Sequence, residues 1–235
     1  MKTAKTQPFP VGGDAFVPQC ADPLPGFFTG CIFVAFYDMP VVVQPGILGG
    51  NAFAASTFSP KTNLIYIPAT AINSALEAKI VVLNEQKGAF DTIKGRGSSR
   101  PPGMPRSGTL TAMDPTTNKI VWQKKTTYPM GGGNGLLSTA GGLLFYGESD
   151  GNVVAADIKN GNALWKFQTG AGADTPPIMY EVDGEQYLAI LSGGNGFNLS
   201  AHGDSLWGFK LGGTVPPAPA PAAPPVIQPS NSTLP

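Results

Sequence analysis

The chain has 235 residues, with 15 lysines and arginines against 15 aspartates and glutamates and a formal net charge of zero. Only 13% of residues are charged, about half the usual share, and no basic stripe is present, which argues against a nucleic-acid partner. Hydrophobic residues (42%) supply a sizeable core, while 31 glycines and 24 prolines argue against long helices and for short strands joined by many turns. No run of 18 apolar residues occurs, so no helical membrane span is expected.

Residues 1–49 read as a loop-rich lead-in with short strands. MKTAKTQPFPVGG carries charge but no apolar central region, so it does not read as a signal peptide. The lead-in already looks like the middle of a fold, so a fragment of a longer protein is expected. GCIFVAFYDMPVVVQPG predicts two short strands around a turn at Asp38–Pro40. Cys20 and Cys31 are spaced wrongly for a zinc pair or a redox CxxC, and a disulfide and two free thiols both stay open. No CxxCH motif attaches a c-type haem.

Residues 50–212 are written as blades. The first reads STFSP, NLIYIPA, GTLTAMD and KIVWQKK, interrupted by a long insertion at 70–107. Within the insertion, SALEAKIVVLNEQ is expected to be a short helix and GRGSSRPPGMPRSG a loop. Insertions of this kind usually build a functional face. The second blade, 134–169, reads NGLLSTA, GGLLFYGES, NVVAADI and NALWKFQT, with hairpin turns at SDGN and KNGN. The third has three strands, PPIMYEV, YLAILSGG and DSLWGFKL, and no fourth. Residues 213–235 are Pro/Ala-rich and uncharged, the composition of a disordered tail or linker.

Two of these blades share a repeat. Asp114 and Asp157 lie 43 residues apart, as do Trp122 and Trp165, and periods of about 40–45 residues are those of four-stranded propeller blades. The Asp carboxylate is expected to accept backbone N–H groups of the turn that follows it. Asn118 or Gly161 then takes the positive φ. Each Trp is expected to wedge between adjacent blades with its indole N–H on a neighbour's carbonyl. Trp207 is left open.

The blocks TAGGLLFYG, ADIKNGNALWKFQTGAG, the Pro176–Pro177 pair before IMYEVDGEQY, and GDSLWGFKL stand in the order and spacing of the C-terminal blades of pyrroloquinoline quinone (PQQ)-dependent alcohol and sugar dehydrogenases. The resemblance covers about residues 8–212 and implies an all-β, partial β-propeller. About three four-stranded blades of an eight-bladed fold are expected, followed by the disordered Pro-rich tail. It further implies periplasmic location, PQQ as cofactor, and Ca²⁺ in the complete protein, with the calcium ligands and the catalytic base outside this chain. Ala52 and Phe53 align with a family Asn-Trp pair that borders the cofactor, and Asn51 stands next to them. Gly193, Gly194 and Asn195 lie in a loop resembling one that closes over the quinone side, although the same residues also read as a flexible hairpin loop. The partners implied are the missing N-terminal blades and a cytochrome reached through the Pro-rich tail. Function follows as a C-terminal part of a dehydrogenase, inactive alone. The alternative is a non-catalytic propeller scaffold, favoured by Ala52, which has no hydrogen-bonding group.

Other residues read as structural. Gly131–Gly135 is Gly-rich, but no helix pattern follows it to cradle phosphate. His202, the single histidine, and Asp174 are expected to cap turns. Glu148, Ser149 and Asp150 form an acidic turn with too few oxygens for calcium. Ser138 and Ser200 lack a His–Asp partner. No catalytic or metal-binding residue is therefore assigned.

Overall fold

The structure, a computed structural model, describes residues 13–32, 34, 40–81, 92–99 and 106–222. Among the described residues all regular structure is β. In the lead-in, β1 (Phe28–Cys31) pairs in parallel with β2 (Val41–Gln44), Phe28 opposite Val41. β1 begins before the two runs predicted around the turn at Asp38–Pro40 and overlaps only the start of the first. The second run is β2, while the first falls mostly on residues 33 and 35–39, outside the described set. Cys20 and Cys31 are joined in a disulfide, which closes the alternative left open by their spacing.

β3 (Thr57–Ser59) and β4 (Leu64–Ala71) begin the first blade. The insertion then supplies β5 (Ser74–Val81) and β6 (Thr92–Ser99), and the chain returns through β7 (Ser107–Asp114) and β8 (Lys119–Thr126). The blade order is β3-β4-β7-β8, and the inserted hairpin joins the lead-in as a separate sheet, β1-β2-β5-β6. This corrects two expectations. Residues Ser74–Val81 are a strand rather than a helix, and Gly95–Ser99 belong to β6 rather than to a loop. The physical reason is an available edge. Val41–Val43 are buried and leave one side of β2 to be paired, and the sequence Glu77-Ala78-Lys79-Ile80 alternates with the period of a strand. Tertiary pairing outweighs the weak helix preference of Ala, Leu, Glu and Lys. Residues 82–91 and 100–105 of the insertion lie outside the described residues.

The second blade is β9 (Leu137–Ser138), β10 (Leu143–Gly147), β11 (Asn152–Asp157) and β12 (Ala163–Gln168), in that order across the sheet. The third has three strands, β13 (Ile178–Val182), β14 (Glu185–Ser192) and β15 (Ser205–Phe209). Residues 213–222 carry no strand, and Ala218 N donates to Gln168 O at 3.0 Å. The rest of the tail, 223–235, lies outside the described residues.

Alternation along β10 and β11 sends side chains to two neighbours. Leu144, Tyr146, Val154 and Ala156 pack with Tyr66, Leu110 and Ala112 of the first blade. Val153 and Phe145, from the same strands, pack with Leu188, Ile190, Trp207 and Phe209 of the third. A sheet buried on both faces by other sheets is the arrangement of stacked blades, and each fully buried Leu or Val contributes about 1.5–3 kcal/mol.

The 43-residue repeat has a structural counterpart. Ala112 pairs with Trp122 and Ala155 with Trp165, and in both cases the register slips at the next residue. The bulge leaves Val121 and Leu164 exposed at the same place in each blade. Asp114 accepts Thr116 N, and Asp157 accepts Lys159 N, each at 2.8 Å. Asn118 (φ 54°) and Gly161 (φ 69°) take the left-handed positions.

The three tryptophans divide differently from the expectation. Trp122, half-buried, donates its indole N–H to Ile158 O of the next blade at 3.3 Å. Trp207 donates to Thr169 O at 3.1 Å. Trp165 also reaches the next blade, meeting Phe209 edge-on at 5.6 Å, but it remains 40% exposed at the rim.

Candidate functional site

Strands that run up and down alternate their connections between two ends. Here the ends differ. One carries the short turns at 60–63, 115–118, 139–142, 158–162 and 183–184. The other carries the longer segments 45–56, 127–136, 169–177 and 193–204, the short turn 148–151, and the root of the insertion. Every residue expected to border a cofactor falls at the long-loop end.

The loop 50–54 is tied to the first blade and to the glycine-rich segment. Thr70 N donates to Gly50 O (2.6 Å), Gly131 N to Thr70 Oγ1 (2.9 Å) and Ala52 N to Gly131 O (3.3 Å). Gly131 is required by this approach, since a Cβ there would lie 2.1 Å from Gly50 O. Asn51 directs its amide inward, donating to Pro68 O (2.7 Å) and Ala54 O (3.2 Å). Ala52 is exposed, and the Phe53 ring is 68% exposed despite this anchored backbone.

The loop 193–203 is tied to the same glycine-rich segment one residue further on. Asn195 Nδ2 donates to Gly132 O at 2.6 Å. Gly194 N donates to Gly172 O (2.9 Å), and Gly203 N to Gly193 O (3.2 Å). Asn195 Oδ1 accepts Phe197 N (2.9 Å), and Arg106 donates to Phe197 O. Thus the loops carrying Asn51, Ala52 and Phe53, and Gly193, Gly194 and Asn195, are both tied to Gly131–Gly133.

Behind this segment lies a buried polar cluster. Asp174 is 3% exposed. Its Oδ1 accepts Ser149 Oγ (2.6 Å), Asn198 Nδ2 (2.7 Å) and Asn134 Nδ2 (2.9 Å), and its Oδ2 accepts Ser200 Oγ. Asn198 Nδ2 also donates to Asn134 Oδ1 at 3.1 Å. Asp174 is thus the centre of a buried network rather than a turn cap. Four donors stand in for the water lost on burying its carboxylate. A lone Asp within GAGADTPP, with Asn and Ser residues in the neighbouring Gly-rich loops, was the available sequence signal.

The other residues singled out take plainer places. Ser200 Oγ, besides its bond to Asp174, accepts Asn195 N at 2.7 Å. Ser138 Oγ shares a hydrogen bond with Thr57 Oγ1 at 2.8 Å. Asp150 Oδ1 accepts Asn152 N at 3.1 Å, and His202 is exposed. Glu148 pairs with Lys166 Nζ at 2.8 Å, yet burial pushes its carboxyl above the ordinary glutamate range. Burial, with the nearby Glu148 charge, likewise pushes the Tyr146 hydroxyl up. No group of three or more His, Cys, Asp or Glu side chains is placed to hold a metal among the described residues.

Blades stacked through both faces, with tight turns at one end and site loops at the other, define a β-propeller domain. Residues 2–188 match the family model of the PQQ glucose/ethanol/alcohol dehydrogenase β-propeller domain, and the chain belongs to that family. It is 39% identical over 203 residues to the quinoprotein alcohol dehydrogenase PedE of Pseudomonas putida, covering 81% of this chain and 30% of that protein. It is likewise 39% identical over 183 residues to the quinoprotein ethanol dehydrogenase of Pseudomonas aeruginosa, covering 73% and 29%. Among solved structures, the quinohemoprotein alcohol dehydrogenase of Comamonas testosteroni superposes with a TM-score of 0.61 at 27% identity, over 77% of this chain and 29% of that one. The chain therefore spans about 30% of the length of the curated relatives it matches.

A flat, polyanionic quinone requires an apolar or aromatic face, close backbone approach and hydrogen-bond donors. Some of these requirements have counterparts among the described residues. The Phe53 ring offers an exposed face on an anchored loop, and Gly193 presents backbone with only Gly203 O near its missing side chain, at 3.7 Å, whereas Gly194 is packed against Ala201 O of its own loop. The Asn51 amide is already committed to two carbonyls.

Proposed function

We propose that this chain forms part of a periplasmic PQQ-dependent dehydrogenase that oxidises alcohols or sugars, and that its long-loop end is one wall of the quinone site. The observation that carries the reading is the convergence of two separately aligned segments, Asn51–Phe53 and Gly193–Asn195, on Gly131–Gly133. When bound with Ca²⁺, the quinone supplies the electron-accepting chemistry. Phe53 presents its ring to the cofactor's plane. Ala52, without a polar atom, leaves room beside it. Gly193, Gly194 and Asn195 continue the wall, held there by the bond from Asn195 to Gly132 O.

In this reading, the base that takes the substrate's hydroxyl proton and the ligands for Ca²⁺ come from blades outside these 235 residues. Those blades are the chain's first partner, and a cytochrome reached through the Pro-rich tail is the second. The 235-residue chain supplied with PQQ, Ca²⁺ and an artificial dye acceptor is expected to oxidise neither ethanol nor glucose. Turnover by the purified chain would overturn this assignment of the missing base.

A second reading is a propeller scaffold that has lost the quinone. It is favoured by Ala52 and by the commitment of Asn51 to Pro68 O and Ala54 O. Equilibrium dialysis separates the two, because a scaffold retains no PQQ when joined to its missing blades.

A further inference from the structure

We infer that Asp174 is the positioning residue of the long-loop end, locking the glycine-rich segment and the 193–200 loop into one rigid wall. The inference deepens the functional reading above and rests on it for the identity of what the wall faces.

Four segments distant in sequence meet on this one carboxylate. Asn134 follows the Gly131–Gly133 turn, Ser149 belongs to the β10–β11 connection, Asp174 itself precedes β13, and Asn198 and Ser200 stand in the β14–β15 connection. All five side chains are buried, at 0–5% exposure. Among the described residues, the side-chain hydrogen bonds to Asp174 come from amides and hydroxyls, and their orientations are in turn fixed by it. Asn198 shows this directly. Its Nδ2 is committed to Asp174 Oδ1 and Asn134 Oδ1, so its Oδ1 is turned toward Gly132, 3.6 Å from where a Cβ there would stand. That oxygen has no partner among the described residues.

The backbone fits the same account. A Cβ on Gly172 would lie 2.4 Å from Ser200 Oγ and 2.8 Å from Asp174 Oδ2. Gly133, at φ 141°, lies against Asp174 O and Asn195 Nδ2, each 2.8 Å from an added Cβ. The glycines bring the backbone in, the carboxylate clamps the side chains, and Ser200 passes the constraint on by accepting Asn195 N at 2.7 Å. Asn195 then holds Gly132 O. Removal of the carboxylate frees the wall residues without touching any of them.

The test compares Asp174→Ala with Asp174→Asn in this chain by amide hydrogen exchange, and by PQQ retention with Ca²⁺ after joining to the missing blades. Asparagine keeps an acceptor toward Asn134, Ser149 and Asn198, and Ser200 rotates its hydroxyl to accept from the new amide. Asp174→Ala is expected to raise exchange at 131–135 and 193–200 about tenfold or more and to leave the turn 157–162 within about twofold. PQQ retention is expected to weaken in parallel, and Asp174→Asn to restore most of both. Equal acceleration at both ends would make Asp174 an ordinary stability residue and overturn the inference. So would faster loop exchange with unchanged retention. If the unaltered protein takes no quinone, the functional reading fails, and the exchange contrast alone decides the clamp. Should Asp174→Ala not fold, Ser200→Ala removes a single arm and must show the same loop-specific acceleration in smaller degree.

Discussion

Trp122 crosses from the outer strand of one blade to Ile158 of the next, its indole nitrogen 3.3 Å from the carbonyl oxygen. Its repeat partner Trp165 stands 43 residues on and meets Phe209 only at the rim. Equivalent sequence positions thus carry unequal energies. Trp122→Phe keeps the ring but loses the N–H bond and part of the contact with Tyr66, and is expected to lower unfolding free energy by about 1–2 kcal/mol. Trp165→Phe is expected to lower it by less than half as much. Urea titrations of the two variants check this, and equal losses would contradict the unequal roles.

Gly131 and Gly196 both lie in loops of the long-loop end but in different surroundings. An added Cβ at Gly131 meets Gly50 O at 2.1 Å, whereas nothing lies within 4 Å at Gly196. Gly131→Ala is expected to destabilise by about 1–3 kcal/mol, the usual range for overpacking, and Gly196→Ala to change little. Thermal melts of both variants decide the point.

Much of the fold was readable because blade strands are local. The hairpin turns, the alternating apolar runs and the Asp–Trp repeat each occupy a few consecutive residues, and β9 to β15 fall within the stretches read as strands except that β14 begins two residues early, at Glu185. The inserted strand Ser74–Val81 was not readable, because its partner Val41–Gln44 lies some thirty residues away and nothing near Ser74 announces that edge. The site divided in the same way. Phe53 and Gly193–Asn195 were singled out through resemblance to aligned blocks, and their part in a quinone wall is the proposal made above. The Asp174 cluster was missed because Asn134, Ser149, Asp174, Asn198 and Ser200 are scattered in sequence and unite only when four connections fold together.

Two sets of carboxylates give stability opposite slopes with pH. Burial raises Glu148 in the folded chain despite Lys166, so its stabilising contribution is complete in acid and is lost as pH rises through its folded value. Asp14, on Ile120 N and beside Lys119, and Asp114, on the Thr116 hydroxyl and amide, are held below the ordinary aspartate range. Their contributions are lost as pH falls through their folded values. Glu148→Gln is therefore expected to gain stability relative to the unaltered chain as pH rises from about 4 to about 8. Denaturant titrations across that range test the sign, and a difference that shrinks with pH would refute it.

Phe53 is exposed, so its removal separates binding from folding. Phe53→Ala is expected to leave stability within about 0.5 kcal/mol, as for surface changes generally, while weakening PQQ retention in the joined protein several-fold. A variant that melts normally and binds normally would remove Phe53 from the wall.

The most direct test is a crystal structure of this chain together with the further propeller blades proposed to complete it, soaked with PQQ and Ca²⁺. The account predicts quinone density at the long-loop end, within about 4 Å of the Phe53 ring and of the Gly193–Asn195 backbone, the ordinary contact distance. Density at the tight-turn end, or a quinone held at the axis with Phe53 and Asn195 both facing solvent, would contradict it.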